Sequence, residues 1–82
     1  MARDFNLICE KIKQVAPAEL AKEIDKRVSL WAPEAKWFQL SQCISEFVEP
    51  CSANAMSVSI YAILCDCTEE EMTARFKIDE SC

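Results

Sequence analysis

Sulfur and carboxylate are the side-chain groups whose spacing in this chain could support chemistry. Cys65-Asp66-Cys67 sets two thiols one residue apart, and Cys51 and Cys82 could bring the sulfur count to four. A structural zinc site calls for two properly spaced ligand pairs. Only one such pair is present, so no metal site is expected. Asp66, Glu69, Glu70 and Glu71 form the second cluster, and paired carboxylates can carry general acid–base catalysis. They stand where a helix is predicted to begin, however, and there capping and the helix dipole account for acidic side chains. The chain has neither His nor Gly among its 82 residues. Without His there is no Ser-His-Asp or Cys-His catalysis, no HExxH zinc site and no histidine pH switch. Without Gly there is no phosphate-cradling loop and no dinucleotide fingerprint. The EF-hand pattern is also missing. The chain is therefore expected to be non-enzymatic, with no catalytic residue, no metal and no cofactor.

The elements that would position these residues follow the helical period. Phe5, Ile8, Ile12 and Val15 make one stripe over residues 3–15, with Asp4 as a candidate N-cap. Over 17–29, Leu20, Ala21, Ile24 and Val28 face inward, and Glu23 precedes Arg27 by four residues in the favourable order for an ion pair. Over 33–48, Trp37, Leu40, Ile44, Phe47 and Val48 share a face, ending at Glu49-Pro50. Pro17 and Pro33 each read as a proline in a first helical turn. Residues 58–65 are apolar enough to be a buried strand or a buried helix. Ala53, Ala55, Met56, Ala62 and Leu64, a possible N-cap at Ser52 or Asn54, and the lack of a partner strand favour helix. Thr68 followed by Glu71 is a capping box, opening a fifth helix that carries Met72 and Phe76 inward. Residues 79–82 read as a frayed tail. The fold class that results is all-α, a small bundle of four to five short helices in a single domain spanning 1–82.

Hydrophobic residues make up 51% of the chain and charged residues 28%, a globular composition. The net charge of −5 is unevenly spread. Residues 1–41 carry seven bases against six acids, and residues 42–82 two bases against eight acids. An acidic half repels phosphate backbones and anionic lipid, which makes nucleic acid a poor partner, and it suits a basic protein surface. The opening residues Met1 to Phe5 contain no apolar signal region, so the six cysteines are expected to be reduced in a cytoplasmic setting, with Cys9, Cys43 and Cys65 serving as small hydrophobes. No apolar run reaches the ~18–20 residues a membrane span needs.

Two apolar features exceed what so short a chain can readily cover. Trp31 and Phe38 form a ridge beside the core face of the third helix, and aromatic residues dominate protein interfaces. In the fourth helix, Met56, Ile60, Ile63, Leu64 and Cys67 form one stripe, while Val58, Tyr61 and Cys65 lie opposite, so the helix is apolar all round. The expected protein interface therefore comprises Trp31, Phe38, Val58 and Tyr61, with Glu46, Glu49, Asp66, Glu69 and Glu70 as contact acids. The expected function is that of a small acidic regulator, inhibitor or adaptor that docks on a larger basic protein, a class-level analogy with antirepressors of phages and plasmids. The same apolar excess leads us to expect a homodimer or larger assembly through the fourth helix or the Trp31/Phe38 ridge, and a purely structural homo-oligomeric subunit is one alternative function. The other is a transcription regulator: Glu19-Leu20-Ala21-Lys22-Glu23-Ile24 resembles the first helix of helix-turn-helix domains, which implies DNA binding. Against it, Asp25 stands where the turn commonly has Gly, and Pro33 falls inside the recognition helix that would follow.

Overall fold

The structure, a computed structural model, describes the backbone of residues 4–80 and the side chains of 4–78. It is all-α. Among the described residues there are five α-helices and no strand: α1 (Phe5–Val15), α2 (Ala18–Arg27), α3 (Lys36–Phe47), α4 (Ala55–Cys65) and α5 (Glu69–Glu80), with a 3-10 turn at Val28–Leu30. α1 lies between α2 and α4, α3 packs on α2, and α5 packs on α4.

Local chemistry sets most of the boundaries. Asp4 caps α1, its carboxylate accepting from the Leu7 amide at 3.2 Å. Asn54, not Ser52, caps α4, accepting from the amides of Met56 and Ser57 at 3.0 and 3.3 Å. The ambiguous 58–65 segment is thus helical, in line with its alanines and its cap. α3 begins three residues later than the sequence pattern suggests. The Ala35 amide donates to the Ala32 carbonyl at 3.0 Å, so Pro33 occupies a tight turn and not a helical turn. α2 likewise yields to the 3-10 turn at Val28. α5 runs through Glu80, two residues into the segment expected to fray, and residues 81–82 lie outside the described part.

α4 ends in a Schellman motif. Asp66 takes the left-handed conformation (φ 57°, ψ 49°), the Cys67 amide donates to the Ala62 carbonyl at 3.1 Å, and the Asp66 amide to that of Ile63 at 3.4 Å. In a chain with no Gly, a short polar side chain takes the backbone position that Gly usually fills.

The core gathers Ile12, Leu20, Ile24, Leu40, Ile44 and Ile60, all essentially solvent-free. Two networks tie its helices together at the surface. Lys13 bridges Glu10 and Asp25 at 2.8 and 2.6 Å, joining α1 to α2, and Arg27 bridges Glu23 and Glu46 at 2.7 Å each, joining α2 to α3.

Candidate docking groove between helices four and five

α4 is the central helix, and the chain covers it on both sides. α1 packs on one side and α5 on another, and the connection 48–51 crosses it as a strap. Ser57, fully buried, donates from Oγ to the Glu49 carbonyl at 2.7 Å and accepts from the Cys51 amide at 3.3 Å. The Tyr61 hydroxyl donates to the Val48 carbonyl at 2.8 Å, and the Tyr61 ring meets Phe76 edge-on at 5.6 Å. Val58 and Tyr61 are consequently 5% and 8% exposed within one chain. For Tyr61 the expectation of a free face is corrected, whereas Val58, though nearly buried, still borders the groove described below. An all-apolar helix needs neighbours on every side, and α1, α5 and the strap supply them.

Trp31 is also committed inward. It packs edge-on to Phe5 at 6.4 Å, while Trp37 meets the same ring at 5.0 Å and the Lys36 ammonium sits 5.0 Å from its centre. Trp31 fills the corner between α2 and α3 and retains only part of its surface for solvent. Its ridge partner Phe38 stays 63% exposed, and Leu30, which the sequence pattern did not single out, 79%. Val15 and Phe47, assigned to inward stripes, are partly exposed at helix ends.

Among the expected contact residues, Val58, Glu69 and Glu70 come together. They line an open groove of about 550 Å³ with Ser52, Ala53, Ala55, Thr73, Ala74 and Lys77. The first turn of α4 and the segment before it form one wall, and the outer face of α5 forms the other. Thr73, Ala74 and Lys77 were missed as site residues. Their signal was the four-residue spacing from Glu69 and Glu70, which puts all five on one helix face. Asp66 lies beside this groove, in a smaller hollow of about 330 Å³ with Ile8, Lys11 and Ile63 that shares Glu69 with it. Glu46 belongs to α3 and is held by Arg27. Glu49 lies in the strap with its side chain exposed and its carbonyl bound to Ser57.

The polar groups around the groove have local work. The Thr73 hydroxyl donates back to the Glu69 carbonyl at 2.8 Å, and Glu69 accepts from the Ser59 hydroxyl at 3.2 Å. Glu71 completes the capping box: its carboxylate accepts from the amide and hydroxyl of Thr68 at 3.2 and 3.1 Å, and its own amide donates to the Thr68 hydroxyl at 3.1 Å. The Thr68 amide, followed by its hydroxyl, holds the Glu71 carboxyl below its ordinary range. Among the described residues, Glu70 and Lys77 enter no ion pair, so the groove carries open negative charge at one end and open positive charge at the other.

Three of the thiols offer little nucleophilic character. Burial pushes the Cys9 thiol up to about 11 and raises Cys43 and Cys67 as well, so all three favour the protonated form. Cys9 and Cys43 fill the core as expected, whereas Cys65 is exposed at the end of α4, where the helix has already turned its buried stripe away. Among the described residues no group of three or more Cys, Asp or Glu side chains could hold a metal ion, and no helix is long and apolar enough to cross a membrane.

No protein-family model, curated protein or solved structure matches this chain.

Proposed function

We propose that the chain is a small acidic, non-enzymatic regulator, an inhibitor or adaptor that acts by docking on a larger basic protein. The groove between α4 and α5 supports this. It is open, lined by small residues and Val58, and edged by Glu69 and Glu70 on the acidic half of the chain. Small lining residues admit a partner's apolar side chains, and the carboxylates at the edge attract basic ones. A photo-crosslinking amino acid at Ala74 tests it in the cell that makes the protein, with Gln14 on the exposed side of α1 as the control position. One basic protein joined reproducibly at position 74, absent at 14 and lost in Glu70→Lys, is the expected result. The same adducts at both positions would overturn it.

Self-association is a second reading, favoured by the exposure of Leu30 and Phe38. Sedimentation of the wild type and Phe38→Asp at micromolar concentration decides it, since an oligomer held there dissociates in the variant while its helical content is unchanged. The helix-turn-helix alternative draws no support from the segment expected to form its recognition helix. Residues 29–36, where a recognition helix would follow the 19–24 segment, are the end of the 3-10 turn, a bend and the turn at Pro33, with only Lys36 helical.

A further inference from the structure

The groove has a direction, and that direction selects its occupant. Along the exposed face of α5, Glu69 and Glu70 stand at the start, Thr73 and Ala74 one turn on, and Lys77 a turn beyond. From Glu70 to Lys77 is seven residues, about 10 Å along the axis. Between these charged ends the lining is Ser52, Ala53, Ala55, Val58, Thr73 and Ala74, none with a side chain larger than valine. An extended strand has no sheet edge to join among the described residues, whereas a helix laid into a groove between two helices needs only side-chain contacts.

Resting on the docking reading above, we infer that this groove receives a short amphipathic helix of the partner protein, lying antiparallel to α5. Its last turn carries Lys or Arg over Glu69 and Glu70, its first turn carries a carboxylate over Lys77, and one or two aliphatic side chains between them enter above Val58 and Ala74. Charge order and the α5 dipole favour this orientation, while the α4 dipole, reversed relative to that of α5, does not add to it. The occupant's negative C-terminal end then meets the positive N-terminal end of α5, and its acidic first turn and basic last turn each suit its own dipole. The parallel orientation places like helix ends together and needs bases in a first turn and acids in a last turn, both unfavourable.

The experiment uses two synthetic 15-residue helical peptides of identical composition. One has two Glu in the first turn, a Leu/Ala centre and two Lys in the last turn, and the other has the charges exchanged. Each is titrated into the full chain and into the surface variant Glu70→Lys/Lys77→Glu, read by amide chemical shifts. Peptide helicity is measured separately, and the unliganded spectrum of the variant confirms its fold. The acid-first peptide should bind the wild type about fivefold more tightly, from two exposed charge pairs made instead of two like-charge contacts. Shifts should centre on Thr73 and Ala74, and the preference should invert in the variant. Equal binding of the two peptides, a preference unmoved by the charge exchange, or no binding at all overturns the inference. Groove shifts that arise on concentrating the protein alone make the occupant a second copy of the chain and overturn it too. If crosslinking at Ala74 captures a basic protein while the peptides show no preference, the helix orientation fails and the docking reading stands. If both experiments fail, both readings fall.

Discussion

Two hydroxyls hold the strap that makes α4 a core helix. Tyr61 reaches the Val48 carbonyl, and Ser57 serves both the Glu49 carbonyl and the Cys51 amide. A buried polar group left without its partner costs about 1–3 kcal/mol. Tyr61→Phe keeps the ring against Phe76 and should lower the unfolding free energy by about 1 kcal/mol, and Ser57→Ala, which strands two backbone groups, by about 2 kcal/mol. Urea denaturation measures both, and unchanged midpoints would mean that the strap is held by packing alone. Cys9 makes a pH-dependent contribution. Burial, opposed by the nearby charge of Lys13, keeps its thiol protonated in the folded chain up to about 11, against 9.0 when unfolded. The unfolded chain therefore loses this proton first as pH rises. The contribution is complete below pH 9 and falls away toward pH 11, by about 2–3 kcal/mol. Cys43 acts in the same direction. Urea midpoints between pH 8 and 11 should fall more steeply for the wild type than for Cys9→Ala, although the variant starts lower because of the cavity it creates.

The joint between α4 and α5 sets the groove's geometry. Three residues, 66–68, complete a Schellman end and a capping box in succession. The left-handed conformation costs an L-residue about 1–2 kcal/mol, which Gly avoids while losing more freedom on folding. Asp66→Gly should therefore raise stability by roughly 0.5–1 kcal/mol, seen as a higher melting temperature. Because Asp66 lies outside the groove, the same variant should leave partner binding unchanged. Weaker binding would bring the smaller hollow into the interface. Capping residues were legible in the sequence because Asp4, Asn54 and Thr68 act within their own helix turns. The start of α3 was not, because Pro33 suits a first helical turn and a tight turn equally well by its fixed φ.

At the scale of the molecule, the docking reading makes the excess of acid in one half a matter of encounter rate with the proposed basic partner. Complementary charge speeds association and is screened by salt, while the apolar contacts set dissociation. Glu69→Gln/Glu70→Gln should slow association about threefold at low salt and flatten its salt dependence, with dissociation little changed. Glu46→Gln/Glu49→Gln is the matched control with the same change in net charge. Surface plasmon resonance against the crosslinked partner measures both, and equal effects would mean that net charge alone matters and the groove has no special part.

The all-α class, the caps at Asp4 and Thr68, most of the apolar stripes and the uneven charge were determined by the sequence alone, since each depends on residues within a turn or two of one another or on composition. Tertiary structure decided which apolar surface remained free. Trp31 and Phe38 looked equivalent on a helical wheel, yet Phe5, twenty-six positions before Trp31, takes Trp31 and leaves Phe38 in solvent. Tyr61 looked available, yet α5 and the strap close over it. The groove joins residues 52–58 to 69–77 across a helix reversal. Local periodicity shows which face of a helix is apolar; what covers that face depends on contacts between residues far apart in the chain.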